Sequence, residues 1–225
     1  MYIIMKVGVI LYHNNIFNIY DKKWIHKCLE SIKYQTFKNF DILELNYGDD
    51  NNSLQNIINI DKNWLFWNKQ FKNHALAMNF LLNTAFTTHN YDIIFNINLD
   101  DYYEHERFQI QIKNYHKYKF DICSSNFKIL KQNGRFSIMD FSKKILFNNE
   151  INKYILNSIN PICHPGVCYS KTFWKKYEDI QYFDEVPYED LNLWKRCIDK
   201  NIKIIILPDI LTIYRKHSNQ ITANS

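Results

Sequence analysis

Tyr91-Asp92-Ile93-Ile94-Phe95-Asn96-Ile97-Asn98-Leu99-Asp100-Asp101 is the stretch on which the fold turns. Residues 91–97 form a short run rich in β-branched and aromatic side chains, the pattern of a buried strand, and the run ends in two carboxylates. The same arrangement recurs upstream. Val7–Tyr12, inside the longer apolar segment Tyr2–Tyr12, reads as a buried strand, and Asp41–Tyr47 as another that runs into the turn Gly48-Asp49-Asp50-Asn51-Asn52. Between and after these strands lie helical patterns. Asp21 offers an N-cap to a helix carrying Trp24, Cys28, Leu29 and Ile32 on one face. A second pattern over about residues 73–86 spaces Ala77, Phe80, Leu81 and Ala85 helically, and a third over 104–118 uses Phe108, Ile112 and Tyr115. Strand and helix therefore alternate, which predicts a mainly parallel sheet with helices on both faces. Ligands of such sheets sit beyond the carboxyl ends of the strands, where both acidic turns fall.

The second half is less regular. Residues 122–130 and 135–141 are expected to pair as a hairpin around Asn133-Gly134. Residues 150–158 suggest a helix before Pro161. Leu191, Trp194, Cys197 and Ile198 make an amphipathic helix opening at Glu189-Asp190, and Lys203–Leu207 reads as a strand. No repeat, linker or low-complexity segment interrupts the 225 residues, so one domain is expected, with residues 1–101 and 102–225 as its halves.

Composition narrows the function. The chain is 46% hydrophobic, enough for a full core. Its four glycines, Gly8, Gly48, Gly134 and Gly166, make neither a G-x-G-x-x-G fingerprint nor a P-loop, so a nucleotide bound here must be held by side chains, isolated amides or a metal. A net charge of +5 without basic runs gives no reason to expect nucleic acid. Five cysteines with no C-x-x-C pair argue for free thiols in a reducing compartment and against structural zinc. No stretch approaches the ~20 apolar residues of a membrane span, so a soluble cytoplasmic protein is the expectation.

Four constellations carry chemical potential. Asn98-Leu99-Asp100-Asp101 could ligate a hard divalent cation, or Asp100 and Asp101 could simply cap the next helix. Glu189-Asp190 could supply a general base, or only complement a helix dipole. His217, in Tyr214-Arg215-Lys216-His217, could contact metal or phosphate, or belong to a solvated basic tail. His164 lies in a loop bounded by Pro161 and Pro165, which could face a cleft or merely close a turn.

Taken together in order, these segments resemble the inverting GT-A glycosyltransferases of family 2, over about residues 6–218. Tyr12-His13-Asn14 stands where the family has a Thr-Tyr-Asn-like strand end. Leu29-Glu30-Ser31-Ile32-Lys33-Tyr34-Gln35-Thr36-Phe37, followed by Asn39-Phe40-Asp41, matches its first helix and the entry to its second strand. Asn46-Tyr47-Gly48-Asp49 replaces the Asp-Asp-Gly-Ser turn that holds the base, and Ala77-Met78-Asn79 the Ala-Arg-Asn helix motif. Asn98-Leu99-Asp100-Asp101 corresponds to Asp-x-Asp-Asp, and His105-Glu106-Arg107-Phe108 to the Pro-x-[Arg/Lys]-[Leu/Phe] beyond it. Residues 160–167 are similar to the His-x-Ser-Val acceptor segment. Glu189-Asp190 with Leu193-Trp194 and Arg196 follows the Glu-Asp-x-x-Leu-Trp-x-Arg helix, and Leu207-Pro208 through Tyr214-Arg215 and His217 the closing strand. The Gln-x-x-Arg-Trp of processive members is missing: Gln132-Asn133-Gly134-Arg135-Phe136 precedes the base motif and lacks Trp.

The resemblance implies a GT-A, Rossmann-like mixed sheet and inverting transfer from a nucleotide-diphosphate sugar, a UDP-sugar first among them. It assigns Asp190 as the base and Asp100 with His217 as ligands of Mn²⁺ or Mg²⁺. Tyr12, Asn14, Asn46, Asp49, Asn79 and Asn98 would line the donor, and His164 and Glu189 the acceptor, which would be a glycan, a protein or a lipid-linked molecule. A homodimer is left open. The replacements at Asn46, Tyr47, Met78 and Asn98 raise a second expectation, a degenerate domain that binds nucleotide-sugar or glycan without turnover. A nucleotidyltransferase is disfavoured because Tyr12–Asn18 lacks the Gly-rich basic loop of that class.

Overall fold

The structure is a computed structural model, and it describes residues 5–176, 180–183 and 188–218. Its elements run in the order β1 (Val7–His13), α1 (Ile16–Ile19), α2 (Lys22–Lys33), β2 (Asp41–Asn46), β3 (Trp64–Asn68), α3 (His74–Asn83), β4 (Ile93–Ile97), β5 (Tyr102–Tyr103), α4 (Arg107–Tyr118), β6 (Ile122–Leu130), β7 (Phe136–Met139), β8 (Leu146–Phe147), α5 (Asn148–Leu156), β9 (Cys168–Ser170), α6 (Lys171–Lys176), α7 (Glu189–Asp199) and β10 (Ile204–Arg215).

Among the described residues, ten strands form one sheet in the order β3-β2-β1-β4-β9-β6-β10-β5, with β7 beside β6 and β8 beside β10. The long pairings are parallel: β3, β2, β1 and β4 form one block and β6 with β10 another. The three-residue β9 runs antiparallel to both β4 and β6 and joins the blocks. Because β1 is covered on both sides, alternate residues feed opposite cores. Ile10 joins the layer of α3, α5 and α7, while Val9 and Leu11 join that of α2 and α4.

The strands and helices expected around the acidic turns are present. Asp21 caps α2 by accepting from the Lys23 N–H at 2.8 Å. The β6–β7 hairpin forms, with Gly134 in the left-handed region at φ 77° that a side chain would disfavour. Departures have local causes. The helix expected over 73–86 ends as α at Asn83 and continues as a π-turn over Thr84–Thr88. The β10 strand runs past Pro208 to Arg215, because register shifts at Leu207/Ile210 and Ile210/Thr212 absorb the residue that cannot donate to a ladder. The half-exposed edge strand β3 follows β2 with only the 3₁₀ turn Leu54–Asn56 between them, so the strand–helix alternation fails there.

Candidate active site

The register places Leu11 beside Ile97 and His13 beside Asn46, so the ends of β1, β2 and β4 open on one edge of the sheet. There the Tyr12 hydroxyl donates to Asn98 Oδ1 at 3.1 Å. The backbone of Asn98 is fixed from behind: its N–H donates to the Tyr103 hydroxyl at 2.8 Å, which donates back to its carbonyl at 3.2 Å. Burial, then the charges of Tyr169, Tyr47 and Glu189, push the Tyr12 hydroxyl well above its ordinary value, so Tyr12 stays a neutral donor whose surroundings include Glu189 of α7.

Asp100 and Asp101 have different partners. His217 Nε2 lies 3.0 Å from Asp100 Oδ2, both side chains nearly buried, and the imidazole packs against Trp24 and Tyr20 with centroids 4.9 and 5.6 Å away. Asp101 instead anchors β10, its Oδ1 accepting from the Arg215 N–H at 2.6 Å, while Arg215 Nε donates to the Asp100 carbonyl at 2.9 Å. Full burial, aided by the neighbouring Asp100, pushes the Asp101 carboxyl well up. Among the described residues no group of three His, Cys, Asp or Glu is placed to hold a metal. One carboxylate and one imidazole do fit a divalent cation that completes its shell with phosphate oxygens and water.

The 48–52 turn is built by Asn46. Fully buried, it donates to the carbonyls of Asp50 (2.9 Å) and Asn52 (3.3 Å) and to the Asp50 carboxylate, and its Oδ1 accepts from the Gly48 N–H at 3.0 Å. Its amide is thus committed to the turn, whose exposed residues are Asp49, Asn51 and Asn52, with Asp49 accepting from Gln70 at 3.0 Å. Asn14 meets the turn closely: a Cβ on Gly48 would stand 2.3 Å from Asn14 Oδ1. Asn79 is engaged with another segment. Its side chain clamps the backbone of Tyr182, accepting from the N–H and donating to the carbonyl, both at 2.9 Å.

Tyr182 leads to the second group. Its hydroxyl contacts His164 Nε2 at 2.9 Å and also the Tyr169 hydroxyl. Burial lowers the His164 pKa against the opposing pull of Asp190 and Glu189, which favours a neutral ring. Glu189 pairs with His74 at 2.8 Å. Burial works to raise its carboxyl, but the hydrogen bond and charge of His74 outweigh that and hold it below its ordinary value. Asp190 accepts from the Leu191 N–H at 2.7 Å and from Asn160 Nδ2 at 3.2 Å. The helix opens at Tyr188, half-exposed and left-handed at φ 53°, a conformation uncommon for a bulky side chain that turns the chain sharply into Glu189. His74 and Tyr182 lie in no recognisable motif; only the folded chain brings them here.

No protein-family model matches the chain. An uncharacterized glycosyltransferase of Rickettsia felis is 25% identical over 198 residues, which is 87% of this chain and 31% of that protein. Crystal structures of S. aureus TarS 1-349 superpose well. The complex with UDP-GlcNAc does so with TM-score 0.74 over 98% of this chain and 61% of that one, at 18% identity. A structure without a named ligand gives TM-score 0.71 over 94% and 60%, also at 18% identity. The chain therefore spans about a third of the curated relative and three-fifths of these structures. The mixed sheet, with its long parallel pairings and flanking helices, is the GT-A fold, and the chain's likenesses in sequence and structure are to glycosyltransferases.

Proposed function

We propose that this protein transfers a sugar from a nucleotide-diphosphate sugar, foremost a UDP-sugar, to an acceptor hydroxyl in one inverting step. The observation that carries the reading is the convergence, in this fold, of Asp100 and His217 from positions 117 apart in sequence, beside the Tyr12–Asn98 contact at the strand ends. Tyr12, Asn14, Asn98 and the Asp49 turn would border the nucleoside. Asp100 and His217 would hold Mn²⁺ or Mg²⁺, and such an ion supplies charge neutralisation for a departing diphosphate.

Asp190 is the proposed base. Its carboxylate receives the hydroxyl proton while Asn160 and the Leu191 N–H hold it in one orientation. Glu189, ionised and tied to His74, and the neutral-leaning ring of His164 would line the acceptor. The acceptor class is a glycan, a protein or a lipid-linked molecule, and homodimerisation is a further proposal. None of the described helices is long and apolar enough to cross a membrane; cytoplasmic residence is likewise proposed.

The test is a panel of nucleotide sugars with Mn²⁺, read as thermal shift and as release of nucleoside diphosphate. A donor that both stabilises and turns over supports transfer. Asn98 in place of a carboxylate favours a second reading, a binding domain without turnover, and stabilisation by a donor that is never consumed would establish it instead.

A further inference from the structure

We propose that Glu44 is a positioning residue for the nucleotide; the inference rests on the donor-site reading above. Glu44 is fully buried in β2 between the core residues Leu43 and Leu45, where an apolar side chain would serve packing without the cost of burying a carboxylate. Four donors meet its two oxygens. His13 Nε2 (2.9 Å) and the Leu54 N–H (2.7 Å) reach Oε1, while Ser53 Oγ (2.8 Å) and Trp64 Nε1 (2.7 Å) reach Oε2.

These donors come from separate segments. His13 lies between Tyr12 and Asn14, the β1 side of the proposed nucleoside site. Ser53 and Leu54 close the turn that displays Asp49, and Trp64 opens β3. The turn is held by Asn46 at one end and by Glu44 at the other, with Asn68 and Gln70 reaching Asn51 and Asp49 between them. One buried carboxylate thereby joins both sides of the site and sets their spacing before a ligand arrives.

The test uses the full chain with Mn²⁺: UDP affinity by calorimetry, and turnover with donor and acceptor varied separately. Gln at position 44 accepts on one oxygen and turns an amide N–H₂ toward donors. Glu44→Gln should therefore raise the UDP Kd and donor KM about tenfold. The kcat and acceptor KM should stay within about twofold. Ser53→Ala and Trp64→Phe, each removing one bond, should raise donor KM less. An unchanged donor KM in Glu44→Gln, or a fall in kcat with both KM values unaltered, overturns the inference alone. Should that variant not fold, an unchanged donor KM in both single-bond variants overturns it. A wild-type chain that binds no UDP overturns the donor reading and this inference with it.

Discussion

Replacing Asn79 by Ala removes two hydrogen bonds to the backbone of Tyr182, an N–H donated to Oδ1 and a carbonyl accepting from Nδ2, both 2.9 Å. Each is worth about 0.5–1.5 kcal/mol net, so Asn79→Ala should destabilise the protein by about 2 kcal/mol. For a chain of this length that lowers Tm by about 4–8 °C. Asn79→Asp is the sharper perturbation. Its carboxylate still accepts from the Tyr182 N–H but sets a second oxygen against the Tyr182 carbonyl, so the loss should be at least as large as for Ala. The clamp also holds the hydroxyl that contacts His164, so acceptor KM should rise while UDP affinity changes little. Urea unfolding at neutral pH, thermal melts and UDP calorimetry on both variants supply the check. Unchanged stability together with lost UDP affinity would refute the clamp and put Asn79 on the donor.

Three further outcomes follow from the site. Gly48→Ala should destabilise the protein by about 1–3 kcal/mol and weaken UDP binding, because the new Cβ would lie 2.3 Å from Asn14 Oδ1 and 3.0 Å from the Asn15 backbone nitrogen; unchanged melting and affinity would contradict this. Asp100→Ala should abolish the Mn²⁺-dependent part of UDP affinity, and calorimetry with and without chelator giving the same wild-type-like value would remove Asp100 from the metal. His74→Ala bears on pH. Despite burial, which works to raise it, the Glu189 pKa is lowered by His74 in the folded state, so the pair's stabilisation is full above the ordinary carboxylate value of 4.5 and is lost as pH falls through the lower folded value. The stability gap between wild type and His74→Ala in urea should accordingly shrink in acid, and a gap independent of pH would contradict the pairing.

Much of the frame was legible because β1 and β4 are mostly apolar runs and β1, β2 and β4 each end in turn residues, and because Asp21 and Gly134 do what their chemistry favours. The short strands β5, β8 and β9, of two or three residues, are below the length at which periodicity speaks, and β3 hides because an edge strand need not alternate. The site was legible in its residue types but not in its division of labour. Asp100 and Asp101 are indistinguishable as neighbours in a sequence, yet one faces His217 and the other secures β10. Asn46 resembles a ligand-binding residue, whereas its amide is spent on its own turn. Glu44 is one polar residue among several in Asp41–Tyr47, and only the folded chain gathers its four donors.

Sugar transfer with Asp190 as the base stands or falls with Asp190→Asn, assayed for both UDP binding and transfer. Asn keeps an oxygen for the Asn160 amide but cannot take the acceptor proton. The expected result is UDP affinity close to wild type with transfer reduced about 10²–10⁴-fold. Transfer that persists at most of the wild-type rate would contradict the account.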